Sequence, residues 1–204
     1  MPVRMRFQKF CLPILFAASA LVCSAQVTKS LSNTDVAVEG LYQTTSTASG
    51  DGISVTATHS AGGAAFLSHS YHWWLGWQAG YVNTRYTNYY TGQVFGVQTN
   101  MHEFAGSYLV RGPRALGIQP FATAGISAVL FSPTLNGGQN AAWQARPGIN
   151  FGAGVNLPLF TSHFGLRVQY HGVYYKTPDF DQTRYTTGAF RMTSEPMAGI
   201  YLRF

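Results

Sequence analysis

Apolar and polar residues alternate along most of the chain. The clearest stretch is FGLRVQYHGVYY (164–175), where Phe164, Leu166, Val168, Tyr170 and Tyr174 share one face and Arg167, Gln169 and His171 share the other. A period of two is the mark of a strand with one oily face and one polar face. Just upstream, Phe151, Ala153, Val155, Leu157 and Leu159 alternate with Gly152, Gly154, Asn156 and Pro158. Only Thr161, Ser162 and His163 separate the two runs, so they are expected to form a tight hairpin.

The same pattern predicts strands over 36–43, 75–86, 103–111 and 194–204. In the first, Val36, Val38 and Tyr42 oppose Ala37, Glu39 and Leu41; in the second, Leu75, Trp77, Ala79 and Tyr81 lie together; in the third, Phe104, Tyr108 and Val110 oppose Glu103, Ser107 and Arg111. Segments 63–71 and 118–131 are also expected to be strands, but both of their faces are apolar or small. Their facing stays open. With 151–159 and 164–175 the count is eight.

The connections alternate in length. Short ones fall at 70–74, 111–117 and 160–163, and long ones at 44–60, 87–100, 132–146 and 176–192. Three turns then share one end of the sheet with both chain ends, and four loops share the other. Trp73, Trp74 and Trp77 stand near the turn side, and Tyr86, Tyr89, Tyr90, Tyr174 and Tyr175 near the loop side. Two aromatic girdles of this kind mark the interfaces of a membrane barrel.

The N-terminal region changes the picture of composition and charge. Residues 1–25 have a basic start (Arg4, Arg6, Lys9), an apolar run FCLPILFAASALV (10–22) and small residues Ser24 and Ala25 at a cleavage site. This reads as a secretory signal; a lipoprotein signal with Cys23 as the modified residue is the competing reading, disfavoured by the bulk of Val22. Cleavage after Ala25 removes Cys11 and Cys23, both cysteines of the chain, so no disulfide framework is expected. It also removes three of the 13 basic residues, leaving 10 against 7 acidic ones and a formal charge of +3 instead of +6. That weakens any case for nucleic-acid binding.

Charged residues make up only 10% of the chain and aromatics 15%, where soluble domains carry roughly 25% charged residues. No run after residue 25 reaches the roughly 18–20 apolar residues of a membrane helix. An exported chain this poor in charge has a closed β-barrel as its other route into lipid.

The signal, the eight alternating strands, PFATAG (120–125), FGAGVNL (151–157), FGLRVQY (164–170) and the final IYLRF (200–204) resemble the small outer-membrane β-barrel family that includes the OmpA transmembrane domain, OmpX and the opacity proteins. The resemblance implies an all-β fold, an eight-stranded antiparallel up-and-down transmembrane barrel over 35–204, preceded by a short periplasmic segment over 26–34. It implies the bacterial outer membrane as location, with both termini periplasmic and the long loops extracellular. Its implied partners are outer-membrane lipid and lipopolysaccharide, and the barrel-assembly machinery and periplasmic chaperones during biogenesis, with a monomer as the final state. The family's assembly signal falls on the terminal aromatic, Phe204, supported by Leu202 and Ile200.

On this reading the lumen receives Glu39, Glu103, Arg167, His171, Glu195 and Arg203, with Gln43, Gln78, Asn156 and Gln169. Buried charges of both signs must pair, so the expected network sets Glu39 and Glu103 around Arg167, with Arg203 near Asp35. Eight strands enclose just enough room for side chains to fill.

Two other chemistries have candidate residues in the chain. A lipid-A-modifying enzyme needs a serine, a histidine and a carboxylate together at a rim; Asp51, His59 and Ser60, or His69 with Ser70, are the candidates, without a local signature. No metal site or cofactor is expected, because the histidines at 59, 69, 72, 102, 163 and 171 are scattered over strands and turns. The fourth loop mixes Lys176, Arg184 and Arg191 with Asp179 and Asp181 and with Phe180, Tyr185 and Phe190, a composition that suits headgroups or a protein surface. The expected role is therefore structural or one of surface interaction, ahead of a narrow porin-like channel and an enzyme.

Overall fold

A computed structural model describes residues 32–161 and 163–204. The expected signal segment and most of the 26–34 segment lie outside the described residues. Eight long strands close on themselves: β1 (Thr34–Thr45), β4 (Ser60–Ser70), β5 (Leu75–Tyr90), β6 (Val97–Arg111), β7 (Gln119–Pro133), β8 (Gln144–Thr161), β9 (Phe164–Lys176) and β10 (Phe190–Arg203). Each pairs antiparallel with its chain neighbour, and β10 pairs with β1, so the ring has no free edge. The eight strands run 11 to 18 residues, and about 9–11 residues suffice for a tilted strand to cross a bilayer.

Between β1 and β4 the chain adds a small hairpin, β2 (Ala48–Gly50) and β3 (Ile53–Ala57). Its tip is Asp51-Gly52, both at positive φ (51° and 76°), the backbone of a two-residue turn that matches strand twist. β3 pairs onto the loop end of β5, with Val55 opposite Tyr90. The expected first loop is therefore largely sheet.

The strands also outrun their expected ends on the loop side. β5 continues to Tyr90 and β6 begins at Val97, leaving only 91–96 between them. The cause is visible on the outer surface. Outward residues are apolar as far as Tyr81 and Phe104, then become Asn83, Arg85, His102 and Asn100. Alternation fades there, while the backbone pairing continues.

Facing follows parity. Val36, Val38, Leu166, Val168, Ile200 and Leu202 point outward, and Ala37, Glu39, Gln169 and Tyr201 point inward and are buried. The two segments left open resolve in the same way: Phe66 and Ser68 on β4, and Phe121, Thr123, Ser127 and Val129 on β7, face the lumen. Large and small inward residues alternate to fit the narrow interior. At Gly165 a side chain would meet the Tyr201 ring, with a Cβ only 2.7 Å from Cε1.

Two of the expected interface aromatics are corrected here. Tyr86 and Tyr175 point into the lumen and are buried, because they share parity with Val82 and His171. Trp73, Trp74, Trp77 and Tyr174 are exposed on the outside. Phe190 also faces outward and stacks on Tyr174, ring centroids 5.3 Å apart.

Candidate functional site

The lumen is the candidate site, because within the apolar belt alternation turns the polar face of the strands into it. It divides into three levels. At the turn end Asp35 is fully buried and surrounded by three arginines. Arg203 donates from Nε to Oδ1 at 2.6 Å, Arg111 donates to Oδ2, and Arg167 approaches Oδ2 at 3.5 Å. Arg167 also donates to Asn156 at 2.8 Å and lies over the Phe121 and Tyr201 rings. The aromatic faces and the amide oxygen compensate part of its lost hydration.

The middle level is acidic. His171 on β9 reaches across the lumen to Glu103 on β6, Nε2 to Oε1 at 3.1 Å. Ser127 donates to the same Glu103 oxygen at 2.5 Å. Ser127 accepts from Asn150 at 2.8 Å, and Asn150 accepts from Ser107 at 2.5 Å, so a relay of three neutral groups holds that carboxylate. Glu195 on β10 is the direct cross-strand partner of His171. It is fully buried, and neither of its carboxylate oxygens has a hydrogen-bond partner in the protein.

The expected network is therefore corrected. Arg167 belongs with Asp35, not with Glu103, and Glu103 pairs with His171. Arg203 does meet Asp35. Glu39 is buried beside Arg167, His171 and Gln169.

At the loop end Arg191 is buried, where the sequence pattern predicts it in the fourth loop. It lies in β10, donates to Asn88 and to the Tyr86 hydroxyl at 2.8 Å each, and stands over the Tyr86 and Tyr175 rings. Above it an apolar plug gathers Tyr90, Met101, Phe131, Phe180 and Tyr185. Phe180 and Tyr185 come from the fourth connection, 177–189, which folds inward through a single turn of 3-10 helix at Thr183–Tyr185. Tyr90 packs at a tilt against Tyr185, ring centroids 4.5 Å apart, and donates to the Pro178 carbonyl at 3.1 Å.

On the inward face at the loop end, Asp179 ties this connection to β8. It accepts from Gln144 at 2.7 Å and from Arg146 at 2.8 Å. Partial burial pushes its carboxyl up, but the bonds from Gln144, the Asp181 amide and Arg146 outweigh that and hold it below the ordinary carboxylate range.

The enzyme candidates are not assembled. His59 stacks on the Tyr42 ring at 5.9 Å, Asp51 sits at the hairpin tip, and His69 bonds Thr34 at 3.0 Å, with no hydrogen bond to Ser70 among the described residues. Leu202, Ile200 and Phe204 face outward at the turn end. The Phe204 amide donates to Thr34 O and its carbonyl accepts from Asn33, both at 2.9 Å.

No protein-family model matches the chain, and no curated protein matches its sequence. Solved structures do match its fold. Neisserial surface protein A is similar at 18% identity with a TM-score of 0.63, over 85% of this chain and 98% of that one. The outer membrane protein OprG from Pseudomonas aeruginosa is similar at 10% identity with a TM-score of 0.59, over 85% of this chain and 96% of that one. Closed from β1 to β10, filled with side chains and apolar on its outer face, this chain has the fold of the small eight-stranded outer-membrane β-barrels.

Proposed function

We propose that the chain is an integral protein of the bacterial outer membrane whose lumen is sealed by its own side chains and whose role is structural or one of surface interaction. The observation that carries this reading is the stacking of three filled levels inside a barrel with an apolar outer belt. Asp35 with its arginines fills the turn end, the Glu103–His171 pair fills the middle, and the aromatic plug fills the loop end. Each level places side chains across a space that eight strands leave barely wide enough to fill.

On this reading residues 1–25 are the export signal, the chain ends and turns are periplasmic, and the loops face outward from the cell. Lipid covers the belt, and lipopolysaccharide meets the rim of Asn83, Arg85 and His102 above it, where Arg85 is braced by Asn100 at 2.7 Å. The exposed ring of Phe204, with Ile200 and Leu202, is the surface offered to the assembly machinery and its chaperones, and the finished barrel is a monomer. Catalysis has no part in this reading: His59 stacks on Tyr42 and His69 bonds Thr34, and neither hydrogen-bonds a serine among the described residues.

A narrow channel is the second reading. A recess of about 320 Å³ at the turn end, reaching Arg111, Gln119 and Arg203, favours it as a pore mouth. Conductance of the refolded mature protein in a planar bilayer separates the two. Silence from a barrel that migrates as a folded species in unheated detergent gels supports the sealed lumen, and discrete steps overturn it. Fractionation of expressing cells tests the location: recovery with the inner membrane or the soluble fraction would refute it.

A further inference from the structure

Three side chains from three strands converge in the middle of the lumen. Glu103, His171 and Glu195 each bring one donor atom to within 4.8 Å of the others, and all three are buried. We propose that they form a binding site for one divalent transition-metal cation, of the zinc class.

The cluster differs in two ways from a chance meeting of acids. First, the groups are only half used. Glu195 has both oxygens without a hydrogen-bond partner, and Glu103 keeps Oε2 free while Ser127 and His171 occupy Oε1. A buried carboxylate with unmade bonds is costly unless something positive meets it. The charged groups that face Glu195 are Glu103, which repels it, and His171. No arginine of the turn-end level bonds to it.

Second, the ligands are oriented from behind. The relay Ser107 to Asn150 to Ser127 ends on Glu103 and fixes the direction of its free oxygen. Hydrogen-bonded support of this kind is what aims a metal's carboxylate ligand. The register between β9 and β10 sets His171 beside Glu195. One imidazole and two carboxylates are a donor set that suits zinc and its neighbours, with a fourth position left for water. In the metal-bound form the imidazole nitrogen now facing Glu103 turns its lone pair to the cation.

The site lies inside the lumen and does not rest on the sealed or conducting reading. Its test is metal content. The mature barrel is refolded with Zn²⁺ or with EDTA, desalted in metal-free buffer, and assayed for zinc and for the temperature at which its folded gel band is lost. We expect about one zinc per folded chain, a lower unfolding temperature after EDTA, and loss of the metal in folded Glu195→Gln and His171→Gln. Ser127→Ala should weaken binding by about tenfold or more without removing a ligand.

Folded wild type without retained zinc, and with an unfolding temperature indifferent to Zn²⁺ and EDTA, would overturn the proposal and leave shared protons as the neutralising charge. So would folded Glu195→Gln and His171→Gln that keep zinc as wild type does, which would put the ion elsewhere. If those variants do not fold, the wild-type zinc content and its EDTA response decide the question alone.

Discussion

Arg203 and Asp35 stand 168 residues apart in the chain and meet at 2.6 Å across the seam where the last strand closes on the first. The pair is one spoke of a hub, since Arg111 and Arg167 converge on the same carboxylate. Removing the hub and removing a spoke should therefore differ. Asp35→Ala leaves three guanidinium groups facing one another in a buried space and is expected to cost roughly 3–5 kcal/mol. Arg203→Ala leaves Asp35 two partners and should cost roughly 1–3 kcal/mol. Urea unfolding of the refolded barrel reads both; equal costs would mean that Asp35 is not the shared partner.

Arg167→Ala removes the bond to Asn156 and the cation between the Phe121 and Tyr201 rings. It also relieves repulsion among the three arginines. The expected urea midpoint is below wild type but above Asp35→Ala. An unchanged midpoint would show that relief and loss cancel, and that Arg167 does not hold the level together.

The fourth connection is held inward by two rings, so its opening should be sensitive to them. In Phe180→Ala and Tyr185→Ala each lost ring is expected to ease local opening by roughly 3 kcal/mol. Trypsin at the exposed Arg184 measures it: wild type in lipid vesicles should resist cleavage and the double variant should be cut readily. Equal rates would place the rings outside the lumen in solution.

The Asp179 carboxyl is held below its ordinary value of 3.8. A carboxyl whose pKa falls on folding stabilises the folded loop fully above the unfolded value, and that contribution disappears as pH drops through the lower folded value. The tie to Gln144 and Arg146 should therefore hold from neutral pH down past 3.8 and release only in stronger acid. Carbon NMR of the Asp179 carboxyl should give a midpoint below 3.8, and Gln144→Ala should move it upward. A wild-type midpoint at or above the ordinary value would refute the arrangement.

Gly199 faces Glu39 across the seam, and a Cβ there would collide with the Val38 carbonyl oxygen and stand 2.8 Å from Glu39 Cγ. Backbone cannot swing aside as a side chain can. Gly199→Ala is expected to lower the yield of folded barrel sharply, whereas Gly106→Ala, with open space around it, should fold as wild type.

Parity was the most legible part of this chain. Once one residue of a strand is set, every other follows, and the inward positions of Glu39, Gln169 and Ser107 could be read from it directly. Tyr86 and Tyr175 lie near strand ends, where an aromatic suggests a girdle, but parity puts them beside Val82 and His171. Strand ends mislead for a different reason. Above the apolar belt the outward face turns polar at Asn83, Arg85 and His102, so hydropathy reports the edge of that belt and not the end of the ladder. The Asp51-Gly52 turn did carry a usable signal, two residues of hairpin type before the alternating ISVTA.

The Glu103, His171 and Glu195 cluster carried none. Those residues meet because of how far each strand is staggered against its neighbour around the ring. Chain spacing holds no record of that stagger, so parity places all three in the lumen without showing that they meet.

The seam between β1 and β10 also dictates an order of events. Its paired positions run from Asp35 with Arg203 to Thr45 with Thr193, so the first strand of the ring waits for nearly the whole chain before it acquires its second neighbour. Contacts between such distant segments are the slowest to form. Until they form, β1 and β10 each present an unpaired edge. This topology therefore loads its risk onto the seam: until it is made, two edges of the sheet stay open to other pairing.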